Sequence, residues 1–389
     1  TSVTAAMSDD SFYDITKAKV TYKSNNPAVA SVDKKGLVTA KGVGAASISA
    51  YVTIEGKKLS DSYPLKVMPD LTLSSITVNG NEIDGFNPDV QGYSYILPDG
   101  SFEVPQVDAI PAGDDITVEI DQAASLPGTA VITLTDNITV EKDEYVVSFG
   151  FESVSDEFEG TTLGEQWSWV RENNANWSLS ESPGYLVITS EKGDVQDTSN
   201  NAKNILLQNA NTDWTIESRL IFSRDPSGFN QQGGLLAYQD DDNYVKLVYK
   251  TASGRMRFGL GGSGGLGARR GNFELIVEEN GYQSTTASIS ASDLIKDNNT
   301  IILKLERKGC IYSASCSADG KEFESFGTAD IILSNIKAGM IVCDGATDSR
   351  FGGRIPMMMP PGMEQQERPE EAAFKVSFDY FNIVNAGLK

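Results

Sequence analysis

The chain has 389 residues and no histidine, which limits the chemistry its side chains can do. Ser-His-Asp and Cys-His nucleophilic catalysis, imidazole acid–base steps and His-ligated zinc all need an imidazole. Any catalysis would therefore fall to carboxylates. The three cysteines are Cys310, Cys316 and Cys343. Cys310 and Cys316 lie in one extended run and roughly 20 Å apart, beyond disulfide reach. Buried free thiols are expected, with a bridge to Cys343 left open. Ligand-gripping potential lies elsewhere. The apolar face of a sugar ring wants an aromatic side chain, and its hydroxyls want planar amides and charged groups. The stretch WSWVRENNANW (residues 167–177) offers Trp169, Arg171, Asn173, Asn174 and Trp177 together. Tyr238, Tyr244, Lys246 and Tyr249 add a second set on a sheet face. The competing reading of Trp169 and Trp177 is a core role, as expected for Trp167 and Trp214 among apolar strand residues.

The elements that must position these residues are strands. Apolar and polar residues alternate with period two in AASISAYVTI, in Ala130 to Thr135 and in YVKLVYK, and Gly, Asn, Asp or Pro separates the runs. No stretch of helical periodicity is long enough for a real helix. ASDLIKDNN (residues 291–299) is expected to make one helical turn, capped by Ser292. The fold class is therefore all-β, built from sandwiches.

The formal net charge is −22. Such a surface repels phosphate backbones and anionic membranes, so neither nucleic acid nor lipid is an expected partner, whereas neutral glycans do not feel that field. No run of apolar residues is long enough for a transmembrane helix. The chain opens on Thr1 without an initiator Met, as a mature product or an excised piece would.

Composition shifts suggest three domains, at 1–69, 70–150 and 151–389. All four tryptophans fall in the last. In the first, YKSNNPAVASVDKKGLVTAKGVGAASISAYV (residues 22–52) resembles the bacterial Ig-like domain, group 2. Pro27 presets a turn, Gly36 supplies a positive φ, and Val29, Val32, Leu37, Val38 and Ile48 are the expected core. In the second, Ile76 to Gly80, Phe86-Asn87-Pro88 and Tyr93 to Pro98 resemble the cadherin-like or Ig-like spacer repeats of bacterial surface hydrolases. Asp114 and Asp115 read as solvated turn acids.

The third domain resembles the concanavalin A-like C-terminal domain of β-xylosidases of glycoside hydrolase family 43. The resemblance rests on seven ordered stretches. These are DEFEGTTLGEQWSWVRENNANWSL (156–179), PGYLVI (183–188), KNILLQ (203–208), WTIESRLIF (214–222), GGLLAYQDDDNYVKLVY (233–249), YSASCSADGKEFESFG (312–327) and FDYFNI (378–383). It implies a jelly-roll β-sandwich in which first and last strands pair, placing Asp156, Glu157 and Phe158 beside Phe378 to Phe381. Related jelly rolls hold a structural calcium near their joined termini, which makes Asp156, Glu157 and Asp379 the candidate ligands. The alternative is that these acids end strands and meet water. Two insertions depart from the family, one at Gly259 to Asn272 and one at Arg350 to Phe374.

Jelly-roll glucanases carry Glu-x-Asp-x-Glu on one strand, a spacing that sets two carboxylates about 5 Å apart. This pattern is missing, and Glu119-Ile120-Asp121 is the nearest approach. The resemblance thus implies a non-catalytic accessory region of a secreted glycoside hydrolase, extracellular or at the bacterial cell surface. Its expected partners are a plant cell-wall polysaccharide or oligosaccharide and a catalytic domain of the same parent chain. The jelly roll would either bind glycan or buttress that domain. A surface adhesin or stalk with a lectin-like tip is the reading from another class.

Overall fold

The computed structural model describes residues 5–6, 12–13, 18–54, 56–226, 231–250, 271–292, 294–295, 299–345 and 373–386. Most of both insertions lies outside the described residues. Every named element is a strand, as the period-two patterning requires. The chain forms two compact units, one of residues 1–89, 107–120 and 132–144, the other of residues 90–106, 121–131 and 145–389.

In the smaller unit Gly44–Ile54 pairs with both Lys57–Val67 and Thr21–Ser24, and Ala30–Val32 forms a hairpin with Val38–Ala40. Its small core gathers Val29, Ala30 and Ala46, with Val38, Leu65 and Val67 against them. Ile48 is buried as expected, but Leu37 is 66% exposed. The reason is the turn before it. The Asp33 carboxylate accepts the Lys35 and Leu37 amides at 2.8 Å each, which holds Leu37 in the hairpin tip. The Leu37 amide, followed by that of Lys35, keeps the Asp33 carboxyl below the usual range. Gly36 has φ +84°, and a Cβ there would stand 2.8 Å from the Tyr22 ring. Leu73–Val78 pairs with Val107–Pro111 and with Asn81–Glu82. Asn79 and Gly80 both have positive φ between them, the tight hairpin turn that Asn-Gly favours.

The larger unit contains the jelly roll. One sheet orders Ser168–Val170, Ile205–Asn209, Lys337–Asp344, Gln231–Asp240, Asn243–Lys250, Asn272–Glu279 and Tyr282–Ser290. The other orders Trp177–Ser178, Leu186–Thr189, Lys375–Phe378, Trp214–Phe222, Thr300–Lys308, Ile311–Ser317 and Glu324–Asp330, with Asn382–Asn385 also on Trp214–Phe222. Between them lies a continuous core including Leu235, Val245, Leu247 and Phe273 from the first sheet and Trp214, Leu220, Leu303 and Phe378 from the second. Asp156 and Phe381 form a single isolated antiparallel bridge, which sets Asp156 beside Phe381 as expected, whereas the first strand Ser168–Val170 pairs with Ile205–Asn209 and the last, Asn382–Asn385, with Trp214–Phe222. A hairpin turn forms at Ser317 to Gly320, with Gly320 at φ +76°. Near Ala291 there is a single turn, in which its carbonyl accepts the Leu294 and Ile295 amides. Its neighbouring polar cap comes from Ser290, whose hydroxyl accepts the Ser292 amide.

Cys310 stands in the turn between two strands rather than within one, and Cys316 lies in Ile311–Ser317. All three thiols are buried and unbridged. Burial pushes Cys310 and Cys316 up to about 12.

Candidate functional site

Successive residues of a strand face opposite sides of the sheet, and in the seven-stranded sheet both sides are filled. Leu235, Ala237, Val245, Leu247, Tyr249, Phe273 and Leu275 enter the sandwich core. Leu236, Tyr238, Tyr244, Val248 and Ile276 form a second buried cluster on the opposite face, with Val195, Ile205, Leu207, Ile341 and Cys343. Tyr249 is therefore separated from Tyr238 and Tyr244 by the sheet itself. The register sets Tyr244 against Tyr238 on one side and Glu278 on the other, with Lys246 between Leu236 and Ile276.

This outer face carries charge under cover. Lys246, Glu278 and Gln232 are fully buried, Asp194 almost so, and Lys250 and Glu274 are also buried. The Lys246 ammonium lies 3.5 Å from Asp194 Oδ1 and 5.0 Å from the centre of the Tyr244 ring. Asp194 also accepts the Val195 amide at 2.9 Å and the Gln232 amide group at 3.3 Å. Glu278 Oε2 accepts the Tyr244 hydroxyl at 2.7 Å and the Asp197 amide at 3.1 Å. The Val195 carbonyl is a second acceptor within reach of the Tyr244 hydroxyl, whose one proton serves either it or Glu278. The small hairpin of Val195–Gln196 and Ser199–Asn200 thus straps this part of the sheet. Its own turn is tied by Asn200 Nδ2 donating to Asp242 Oδ1 at 2.7 Å.

Burial raises the carboxyl of Glu278, against the opposing bonds from Tyr244 and Asp197. It also raises that of Glu274, against Lys250 and Lys246. Burial, then the neighbouring Lys246, lowers the Lys250 ammonium. Each group is pushed toward its neutral form, as desolvation demands. Glu274 and Glu278 share one strand face, but Ile276 stands where the glucanase pattern has its middle acid. Tyr244 and the strap occupy Glu278.

Of the remaining candidate sugar contacts, Trp169, Arg171, Asn173 and Trp177 come from the edge strands Ser168–Val170 and Trp177–Ser178 and the segment between them, and Tyr238 lies near the end of a central strand. Arg171 donates from Nη1 and Nη2 to the two oxygens of Asp241 at 2.7 and 2.8 Å, and from Nε to the Ala202 carbonyl at 2.6 Å. Tyr238 donates to the same Asp241 at 2.8 Å. Desolvation would raise Asp241, but the bonds from Arg171 and Tyr238 hold it below the usual range. Asn173 donates to both Glu191 oxygens at 2.9 Å, and its own amide N–H goes to Asn204 Oδ1 at 2.6 Å. Trp169 and Trp177 lie with ring centres 5.0 Å apart. They come from the edge strands of the two sheets and pack half-buried on the core. Trp177 Nε1 donates to Glu172 at 3.1 Å. The structure therefore joins Tyr238 with Arg171, Tyr244 with Lys246 and Trp169 with Trp177, but does not make one exposed platform of them.

The residues named for calcium do not fit a cation. Asp156 accepts the Phe158 amide at 2.9 Å on one oxygen and Trp167 Nε1 at 2.7 Å on the other, with Gln166 Nε2 at 3.4 Å. Asp379 pairs with Arg219 at 2.7 Å, and Glu157 is exposed. Calcium wants six to eight converging oxygens, and here N–H donors bond both oxygens of Asp156 and one of Asp379. Among the described residues no group of three or more His, Cys, Asp or Glu side chains gathers for a metal.

Asp194, Lys250, Glu274 and Glu278 were missed by sequence reasoning. Their signal was present. Lys246 and Lys250 fall on one strand face, as do Glu274 and Glu278, in runs where the outward face of a single-sided sheet would be wet. Nothing local says that this outward face is covered.

A profile of the β-xylosidase C-terminal concanavalin A-like domain matches residues 155–382, more than half of the chain. The chain belongs to this family. Residues 17–53 match the immunoglobulin-like domain of intimin. No curated protein matches the chain. Solved structures similar to it include the GH43 protein BlXynB of Bacillus licheniformis, at 14% identity and TM-score 0.45, covering 89% of this chain and 85% of that one. The xylan beta-1,4-xylosidase of Bacillus halodurans is 14% identical with TM-score 0.43, covering 98% and 75%. The GH43B protein of a Bacteroides ovatus xyloglucan locus is 14% identical with TM-score 0.42, covering 92% and 73%. Among the described residues no helix is long and apolar enough to cross a membrane.

Proposed function

We propose that the chain is the non-catalytic accessory region of a secreted glycoside hydrolase of the xylan- or arabinan-degrading kind, and that its jelly roll buttresses a catalytic domain rather than holding glycan. One observation carries the second half of this reading. Seven of the nine candidate sugar contacts are spent in bonds or packing within the protein; Tyr249 lies in the sandwich core and Asn174 is exposed. Arg171 and Tyr238 are bonded to Asp241, Asn173 to Glu191, Tyr244 to Glu278 and Lys246 to Asp194, while Trp169 and Trp177 pack against each other at the sandwich edge with their rings tilted by 37°. A glycan would have to break these bonds before making its own, and buried polar groups left unpaired are expensive.

Affinity electrophoresis of the full chain through xylan, arabinoxylan and arabinan gels tests this reading. Mobility is expected to match a glycan-free gel. Retardation that disappears in the Trp169→Ala/Trp177→Ala double variant would establish a lectin instead. The parent reading frame supplies the other arm: a carboxylate-based hydrolase domain in the same polypeptide supports the accessory role, and a wall-anchored frame without one overturns it.

A further inference from the structure

The burial pattern of the strands preceding the jelly roll changes along their length. In Lys142–Gly150 the residues up to Glu144 are exposed or half-buried, whereas Tyr145 to Gly150 are all buried. Gly92–Ile96 pairs with that buried end in parallel, Gly92 with Val146 through Ile96 with Gly150, and opens with three buried residues. Gly128–Asp136 does the same before it begins to alternate. A strand with one solvated face alternates. Continuous burial requires a layer on both faces, and these buried ends belong to the larger unit together with the jelly roll.

The contacts there are polar and enclosed. Asn211, 1% exposed, has its two Nδ2 protons among three acceptors, the Gly128 carbonyl at 2.7 Å, Thr129 Oγ1 at 3.1 Å and the Phe149 carbonyl at 3.2 Å. Its Oδ1 accepts the Ile336 amide at 2.9 Å. Arg307, 2% exposed, donates to the Thr212 carbonyl at 2.6 Å and to Ser148 Oγ at 3.4 Å. Asp213 gives its amide N–H to Ser94 Oγ at 2.9 Å and takes that of Gly309 on its carboxylate at 2.9 Å. Two glycines set the approach. A Cβ on Gly92 would stand 2.7 Å from Gly309 Cα and from Cys310 N, and one on Gly309 would stand 2.6 Å from the Gly92 carbonyl oxygen. Backbone meets backbone at that point.

We propose that residues 90–106, 121–131 and 145–150 are a docked layer of the jelly-roll unit, not part of a free spacer, and that the buried Asn211–Arg307 polar clamp holds them. An amide bonded on both its ends inside the protein needs one geometry, which a loose contact cannot supply. The layer's partner is thus the jelly-roll surface formed by Ala210 to Asp213, Arg307 to Cys310 and Asn335-Ile336.

A protease site inserted between Phe151 and Glu152 of the full chain tests the clamp. After cleavage the two fragments are expected to elute together, at the size of the uncut chain, at a concentration of about 1 μM. Asn211→Ala strands the Gly128 and Phe149 carbonyls and the Ile336 amide, and should weaken the fragments' association by about 100-fold or more. Tryptophan fluorescence checks that the jelly roll stays folded in the variant, because all four tryptophans belong to it. Should that variant not fold, Ser94→Ala removes one acceptor from the layer side and should weaken association about tenfold. Separation of the wild-type fragments on cleavage, or association unchanged in the folded variants, would overturn the proposal.

Discussion

Lys246 and Asp194 are the sharpest test of the covered sheet face, because both are within 1% of complete burial and their charged atoms stand 3.5 Å apart. At an effective dielectric constant near 20 their attraction is worth about 5 kcal/mol, and each has been taken out of water to gain it. Replacing Lys246 by Met keeps much of the volume but leaves the Asp194 carboxylate without its cation, with the neutral Val195 amide, Gln232 and the Cys343 thiol as partners. Breaking one side of a buried pair costs about 3–5 kcal/mol. For a domain of this size that corresponds to a drop in Tm of roughly 6–20 °C. The assay is urea or thermal unfolding followed by tryptophan fluorescence, which reports this module selectively. Asp194→Asn should cost a similar amount. The double variant should cost clearly less than the sum, since removing both charges removes the uncompensated one. A Lys246→Met cost under about 1 kcal/mol, or strict additivity in the double variant, would refute the claim that a buried ion pair holds this face.

Three further outcomes follow from the same geometry. Burial raises the Glu278 carboxyl, so the native state holds that proton more tightly than the unfolded chain does. The contribution to stability is fully present below the unfolded value of about 4.3 and is lost as pH rises through the folded one; Glu278→Gln, which still accepts from Tyr244, should flatten the fall in stability as pH rises above the unfolded value. EGTA should leave the unfolding midpoint unmoved, whereas Asp156→Ala, which strands Trp167 Nε1 and the Phe158 amide, should cost about 1–3 kcal/mol in the same unfolding assay. A thiol reagent should label none of the three cysteines in the folded chain and all three in denaturant, since each is buried and unbridged.

Much of this protein could be read from local rules. Period-two alternation made the chain all-β, because strand side chains alternate whatever the strand packs against. Gly36 marked a tight turn, because positive φ is a property of the single residue. The absence of histidine removed whole classes of chemistry with no reference to shape. The ordered motifs from Asp156 to Ile383 named the jelly roll, and the profile match over residues 155–382 agrees.

Tertiary structure decided which faces were wet. The strand YVKLVYK sends Tyr244 and Lys246 to one side and Tyr249 to the other, and its alternation alone does not say that both sides are covered. Lys246 meets Asp194 across 52 positions and Arg171 meets Asp241 across 70. Those pairings turn the apparent sugar-binding set into internal bonds, and they are set by strand order and by the strap rather than by neighbouring residues. Likewise the buried stretch from Tyr145 to Gly150 reads in sequence as any apolar strand end. Its docking depends on Asn211 and Arg307, which only the folded chain brings to it. Sequence carries each residue's donors, acceptors and preferred φ, while burial is a property of what the rest of the chain places over it.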